Sequence, residues 1–269
     1  MHKYLTITMT LLSISLYAQE KSIIFPDKLL VSPFYASMIE PKIGFSFSHG
    51  KNNIRLDIGA SRDLINVNES FSFGADFFTF TKLRGEENFH FPVEAVDYLF
   101  GLNTCLVSKS MDHTVGARFR FSHISAHMVD GNYTGATGGW RDAKNPHVYS
   151  REYFEVIPFY QSSSYRVYAG ANYLMHVVPH DVKRWSLQGG LEYFIPFGKS
   201  FTPFVAYDLK TVPLDKTTVD NTFMAGIKLG NQYGSGFRIQ YIYYSGKSMH
   251  GEYYNVDEKS SSIGFTIDF

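Results

Sequence analysis

The chain has 269 residues, and its 25 Lys+Arg balance 25 Asp+Glu to give a formal net charge of zero. That balance excludes the broad basic surface expected of a nucleic-acid-binding protein. The mean hydropathy is −0.15, and no apolar run after the first twenty residues approaches the ~18 residues that a spanning helix needs. A bundle of transmembrane helices is therefore excluded. The 24 Phe, 19 Tyr and 22 Gly, with only 19% charged residues, favour a β-rich chain in contact with lipid.

The N-terminus has the layout of a signal peptide. His2 and Lys3 form a short basic start, a mostly apolar run follows them, and Ala18 is a small residue suited to cleavage. We predict a cleaved signal peptide over 1–18 and export into the Gram-negative envelope, with a buried N-terminal helix as the alternative. Residues 19–41 would then be a periplasmic N-terminal segment, in which the prolines suit either a plug or an extended cap.

The rest of the chain alternates between apolar and polar residues in segments of about ten, which predicts strands with two different faces. The clearest example is the end of the chain, where Ile263, Phe265, Ile267 and Phe269 alternate with Gly, Thr and Asp. Twelve such segments occur. Their approximate ranges are 42–49, 53–60, 69–82, 93–107, 114–128, 149–161, 164–176, 183–195, 201–210, 218–230, 235–245 and 260–269.

These segments predict an all-β fold, an antiparallel transmembrane β-barrel of about 12 strands over 42–269. Single-chain outer-membrane barrels have an even number of strands, with short periplasmic turns and longer extracellular loops. Short connections such as 108–113 and 162–163 indeed alternate with longer ones such as 129–148 and 246–259. The last strand, which ends in an aromatic residue, resembles the terminal signal of such barrels. A soluble β-sandwich is the alternative, and it would need a second sheet over each apolar face.

The face opposite the apolar one carries charges of both signs. A diffusion pore would more naturally carry one sign in excess, so we predict charges that pair across a packed or narrow lumen. The charged residues expected to face inward are Arg55, Asp57, Asp76, Arg118, Arg120, Arg166, Glu192, Asp208, Lys210, Lys228, Arg238 and Asp268. The lone cysteine, Cys105, cannot form an internal disulfide, and we expect it to be a small filler on a strand.

One group of polar side chains could be catalytic, and it lies on the fifth segment, 114–128. The parity of that strand places His123, Ser125 and His127 on the lipid side, close to the extracellular rim. Polar side chains are costly there unless they lie near an interface or have a function. Residues i and i+2 have Cα atoms roughly 6.6 Å apart, which lets an imidazole approach a serine hydroxyl as an activated nucleophile requires. Either histidine could be the base.

A third group that orients the base could come from either neighbouring strand. Extrapolation from the short turn at 108–113 places Glu94 beside His127, and across the long loop Glu152 or Glu155 lies near the other two residues. A register slip of one residue would exchange the two faces. The candidate catalytic residues are therefore Ser125, His123, His127, Glu94 and Glu155, with Glu152 as an alternative to Glu155.

The His-x-Ser pair resembles that of outer-membrane acyl hydrolases, namely the phospholipase and the lipid A deacylases. The resemblance implies a strand-borne serine nucleophile and histidine base that attack a lipid ester. Those enzymes often place Asn after the serine, where this chain has Ala126, and they carry an acidic or amide residue about twelve positions on, where Thr137 stands.

Three longer stretches and the closing segment resemble a domain-of-unknown-function family of bacterial outer-membrane proteins. That likeness implies a barrel and no established activity. The stretches are Ser125-Ala126-His127-Met128-Val129-Asp130, Arg166-Val167-Tyr168-Ala169-Gly170 and Gly246-Lys247-Ser248-Met249-His250-Gly251-Glu252, with Gly264-Phe265-Thr266-Ile267-Asp268-Phe269 at the end.

The leading functional hypothesis is a serine-dependent esterase that acts on phospholipid or lipid A in the outer leaflet. The alternative is a non-catalytic barrel that acts as a narrow channel or as a surface interaction or structural protein. The expected partners are outer-membrane lipid or lipopolysaccharide and the barrel assembly machinery. We expect no cofactor; the only metal considered is Ca²⁺, through Asp130, Asn132 and Asp142, whose spacing is not that of an EF-hand.

Overall fold

The computed structural model describes residues 21–50, 52–141, 144–195, 197, 201–214 and 216–269. The predicted signal peptide over 1–18 lies outside these residues. Within them, no helix is both long enough and apolar enough to span a membrane.

The described residues form an antiparallel β-barrel of twelve strands, as predicted. The barrel closes where the last strand pairs with the first barrel strand, through Phe265 opposite Phe45. A short strand, β1 (Ser22–Ile24), and a two-residue hairpin of β7 (Tyr133–Thr134) and β8 (Gly139–Trp140) complete the strands. The barrel strands are β2 (Ile43–Ser48), β3 (Asn53–Val67), β4 (Phe71–Arg84), β5 (Val93–Lys109), β6 (His113–Met128), β9 (Tyr149–Ser162), β10 (Tyr165–Val178), β11 (Trp185–Phe194), β12 (Phe201–Pro213), β13 (Thr217–Gly230), β14 (Gly236–Lys247) and β15 (Asp257–Asp268).

The alternation read from the sequence is the alternation of the barrel wall. On β6, Arg118, Arg120 and Ser122 are buried in the lumen, whereas Phe119 and Phe121 are exposed on the outer surface. A closed barrel pairs the backbone groups of its strands with each other, which is necessary where no water is present. The apolar outer face and the closed ladder together make this chain an outer-membrane β-barrel.

The N-terminal segment enters the lumen through a break beside β3. β1 pairs with the periplasmic end of β3, with Ile24 opposite Ile65, whereas β2 pairs with its other end, with Gly44 opposite Asp57. β1 and β2 thus follow the same edge of β3, and the residues between them leave the wall at Phe25, where φ is 51°. The segment expected in the periplasm over 19–41 therefore lies, for much of its length, inside the barrel. Its contacts, described next, are those of a plug, which is one of the two roles that its prolines suit.

A stacked pair of aromatic rings, one from the plug and one from the wall, holds the plug in place. We define the plug as residues 26–42. The Phe34 ring stacks on Tyr168 with 4.0 Å between centroids, and it lies under the guanidinium groups of Arg118 and Arg166, at 4.6 and 4.7 Å. Arg166 also donates hydrogen bonds to the carbonyl oxygens of Ser32, at 2.8 Å, and Pro33, at 2.7 Å. The plug backbone thus supplies acceptors to a buried cation, which would otherwise be costly to bury.

A buried carboxylate joins the plug to strand β6. Both oxygens of Glu40 accept hydrogen bonds from Arg118, at 2.6 and 2.8 Å, and one of them also accepts from Arg120 at 3.2 Å. Glu155 on β9 accepts from the same Arg118 at 2.9 Å. The prediction that lumen charges pair is confirmed here, but one essential partner comes from the plug rather than from a strand.

One extracellular loop also folds inward. In the β14–β15 loop, His250 Nδ1 lies 2.8 Å from Asp97, and the Gly251 N–H donates to the same carboxylate at 2.7 Å. Glu252 accepts a hydrogen bond from the Met128 N–H at 3.2 Å. The loop therefore closes part of the barrel mouth by contacts to the ends of β5 and β6.

Replacing Glu40 tests the anchoring of the plug. Glu40→Ala leaves Arg118 and Arg120 short of a buried counter-charge, so we expect the free energy of unfolding to fall by about 3 kcal/mol. Urea unfolding in lipid vesicles, followed by the heat-modifiable shift on gels, measures the change. Glu69→Gln is the control, because it removes an ion pair with Lys109 at an exposed turn and should cost under about 1 kcal/mol. Equal effects of the two substitutions would contradict the role of Glu40.

Candidate functional site

The candidate residues of β6 face the lipid, as the strand parity predicts. His123 and Ser125 are partly exposed and His127 is exposed, whereas Ile124 and Ala126 between them are buried in the barrel interior. Below them on the same outer face, Phe121 packs against Phe154 with 4.9 Å between ring centroids. The polar residues therefore begin where an aromatic, lipid-facing surface ends.

Glu152 is the carboxylate that contacts this group. It lies directly opposite His123 in the register of β6 and β9, and its Oε1 is 2.6 Å from His123 Nδ1. This hydrogen bond fixes the ring so that the other nitrogen, Nε2, is left for a second partner. The sequence reasoning had placed Glu152 near this group only as an alternative to Glu155.

A second histidine binds the other oxygen of the same carboxylate. His176 Nδ1 lies 2.7 Å from Glu152 Oε2, so Glu152 bridges two imidazoles from two neighbouring strands. A β-bulge between Leu174 and His176 makes this contact, because it turns His176 to the outer face. Regular alternation from the buried Leu174 would have placed residue 176 in the lumen. The residues around His176 are all apolar, so the sequence pattern does not show the bulge and did not connect His176 to this site.

Ser125 is held beside this bridge with a free hydroxyl. Its register partners are Ser150 on β9 and Tyr98 on β5. Its side chain makes no hydrogen bond with any residue that the structure describes. His127 packs its ring against Tyr98, with 5.9 Å between centroids, and makes no contact with Glu152. The geometry therefore gives His123, rather than His127, an acidic partner.

Two of the candidate carboxylates lie elsewhere. Glu155 is buried in the lumen beside Arg118, because it is three positions from Glu152 and an odd separation exchanges the faces of a strand. Glu94 is also buried, 3.4 Å from Lys82 and hydrogen-bonded to Arg84. A bulge in the β4–β5 pairing at this point breaks the parity on which its placement beside His127 relied. Glu94 and Glu155 therefore lie on the lumen side of the wall, away from Ser125, His123 and His127.

Metal ligation has no support in the part of the chain that is described. No group of three or more His, Cys, Asp or Glu side chains is arranged there to hold an ion. Of the three residues considered for Ca²⁺, Asn132 is buried and directs its amide nitrogen toward the sulfur of Met128 at 3.0 Å. Asp130 lies at the start of a 3-10 turn, and Asp142 lies outside the described residues.

The comparisons with known proteins identify a family whose description assigns no function. The family described as "Protein of unknown function (DUF1207)" matches residues 93–269. No curated protein matches the chain.

Three solved structures share similarity with the chain at 10–11% sequence identity. OprB from Pseudomonas putida has a TM-score of 0.37, with 80% of this chain and 57% of that chain covered, so this chain spans little more than half of its length. The translocator domain of the autotransporter NalP from Neisseria meningitidis has a TM-score of 0.38, with 84% and 85% covered. The Pseudomonas putida toluene transporter TodX has a TM-score of 0.39, with 92% and 76% covered.

A disulfide tests the register that builds this site. In a Cys105→Ser background, Ser125→Cys and Ser150→Cys place two thiols on directly opposite residues of the same face, where Cβ atoms lie about 4.5–5.5 Å apart. We expect mild oxidation to join them, as detected by thiol labelling and peptide mass spectrometry. The control pair, Ser125→Cys with Arg151→Cys, places the second thiol on the lumen face and should stay reduced. Cross-linking of the control alone would mean that the register is shifted by one residue.

Proposed function

We propose that this chain, which belongs to the DUF1207 family of proteins of unknown function, hydrolyses acyl esters of lipids in the outer leaflet of the outer membrane. The observation that carries the proposal is the hydrogen bond between His123 and Glu152 on the lipid-facing surface, with the unpartnered hydroxyl of Ser125 two residues along the same strand. A nucleophile, a base and a group that orients the base are the parts required for acyl transfer.

The chemistry follows from these three side chains. Ser125 Oγ attacks the ester carbonyl carbon while its proton passes to His123 Nε2. The bond from that carbon to the ester oxygen then breaks, and His123 returns the proton to the departing lysolipid oxygen. A water molecule, deprotonated by the same nitrogen, attacks the acyl-serine, and Ser125 regains its proton as the fatty acid leaves. The balance is one ester and one water to one alcohol and one acid.

The carboxylate of Glu152 acts through the histidine. It accepts the Nδ1 hydrogen of His123, which holds the tautomer with a basic Nε2 and stabilises the imidazolium that forms during attack. His176 occupies the second oxygen of Glu152 and limits its rotation. Ser150, opposite Ser125 in the β-sheet register, brings a second hydroxyl to the same surface as a donor for the developing oxyanion.

The position of the group selects the substrate. The hydroxyl of Ser125 faces outward near the extracellular ends of β6 and β9, just beyond the aromatic pair Phe121 and Phe154. A phospholipid or lipopolysaccharide in the outer leaflet can keep its acyl chains against that aromatic surface while its ester groups lie at the level of the polar residues. The proposed substrate is therefore a membrane lipid rather than a soluble ester.

The test is acyl release by the folded barrel from radiolabelled phospholipid and lipopolysaccharide in mixed vesicles. We expect Ser125→Ala and His123→Ala to abolish release, and Glu152→Gln to lower kcat by about 10²- to 10⁴-fold, because general-base catalysis supplies an effect of that size. His127→Ala separates the two candidate bases, since a complete loss in that variant would contradict the assignment of His123.

Matched controls come from the opposite end of the barrel. Ser108→Ala and His113→Ala change an exposed serine at the end of β5 and a histidine stacked on Tyr160 at the start of β6, and both should retain full activity. Heat-modifiable migration establishes that each variant is folded. An intact barrel that releases no acyl chain from either lipid, or a Ser125→Ala variant that remains active, would refute the proposal.

The packing of the lumen does not favour the channel alternative. The plug and its ion pairs fill the barrel between Phe34 and Glu40. We expect single barrels in a planar bilayer to show no steady conductance, and a large conductance that Ser125→Ala leaves unchanged would favour a channel instead.

A further inference from the structure

A cavity lies inside the extracellular half of the barrel, separate from the lipid-facing group. The plug residues Ser37, Met38 and Ile39 form its floor, strands β6 and β9 to β14 form its wall, and the β14–β15 loop covers part of its mouth through Met249 and Tyr254. Its volume is about 100 Å³, which is room for a small molecule.

Two cations of this cavity have no close counter-ion, whereas its carboxylates have hydrogen-bond donors. Arg151 and Lys210 line the cavity, and neither makes an ion pair or hydrogen bond with any residue in the described ranges; the third cation of the lining, Lys247, pairs with Asp257. Asp208 accepts hydrogen bonds from Tyr168 at 2.6 Å and Gln188 at 2.8 Å. Asp220, which lies opposite Lys210 in the strand register, accepts from the Lys247 N–H at 2.7 Å. Arg151 and Lys210 are therefore the charged groups of the cavity whose N–H donors are free to meet a ligand.

A buried amide in the same wall also has no partner. Asn172 is 2% exposed, it lines the cavity, and both its Nδ2 and its Oδ1 lack hydrogen bonds. The Nε of Arg151 is likewise buried and unpartnered. Leaving such a group unsatisfied costs about 1–3 kcal/mol, so this part of the wall is arranged as if for a molecule that supplies acceptors and a donor.

The remaining surface of the cavity is apolar. Ile39 faces it from the plug, Val182 and Met249 face it from loops, and Leu174 and Val212 face it from the wall. If an inorganic anion bound here, the apolar surface would stay exposed to water. A ligand that satisfies both halves has an anionic head and an apolar body.

We propose that this cavity is a binding site, open to the cell exterior, for a small organic carboxylate with an apolar body. The carboxylate would lie between Arg151 and Lys210, with the Asn172 amide donating to one of its oxygens, and the apolar body would lie against Leu174 and Met249. The inference stands apart from the proposed hydrolase, because its residues face the lumen and Ser125 faces the lipid.

The experiment uses the full barrel in lipid nanodiscs and the probe 4-phenylbutyrate. Isothermal titration calorimetry should show saturable one-to-one binding. The neutral isostere 4-phenylbutanamide and inorganic phosphate, which lack the charge and the apolar body respectively, should each bind at least tenfold more weakly. Phosphate that binds as tightly as the carboxylate would overturn the proposed ligand class, and an amide that does so would overturn the role of the cations.

Variants locate the site in the cavity. Lys210→Met and Asn172→Leu should each weaken binding of 4-phenylbutyrate at least tenfold, while Lys109→Gln, which changes a lysine at an exposed turn, should leave it unchanged. Asn172→Leu also removes the unsatisfied amide, so the empty variant should unfold at the same or a higher temperature than the parent. Absence of saturable binding, or equal binding by the parent and both lumen variants, would overturn the proposal.

Discussion

The bidentate contact between Glu40 and Arg118 sets the interior of this barrel. A wall that faces lipid must carry its polar residues inward, and buried guanidinium groups there are stable only with partners. The strands supply Glu155 and Asp76, and the plug supplies Glu40 as the carboxylate shared by Arg118 and Arg120. The plug is thus part of the buried core, although it contains no strand. The plug does not fill the extracellular half of the lumen, and the cavity lies in the space that it leaves.

The barrel was predictable because every strand of a wall between lipid and lumen alternates apolar and polar residues. The lipid side of His123 and Ser125 followed from parity alone, since no irregularity interrupts β6 between Arg118 and Met128. The path of residues 26–42 was not predictable in the same way. That segment has no repeating pattern, and its place is decided by single long-range contacts, such as the carbonyl of Pro33 against Arg166.

The candidate site was predictable only in part, for a reason that two bulges make clear. The prediction of faces assumes that successive residues of a strand alternate between the two faces. Each bulge inserts one extra residue, so that the residues beyond it change faces. The bulge at Glu94 turns a carboxylate expected at the site into the lumen, and the bulge before His176 turns that histidine to the lipid face, where it meets Glu152. The choice between Glu152 and Glu155 needed no bulge, only the register across a twenty-residue loop, and a sequence carries no direct record of that register.

The two proposed sites share two strands, β6 and β9. Neighbouring residues of β9 face opposite sides, so that Glu152 meets His123 on the lipid face while Arg151 faces the cavity. The same holds on β6, where Ile124 lines the cavity between His123 and Ser125. Substitutions at Arg151 and Glu152 therefore change opposite faces of one backbone, and the thickness of one strand separates the proposed carboxylate site from His123.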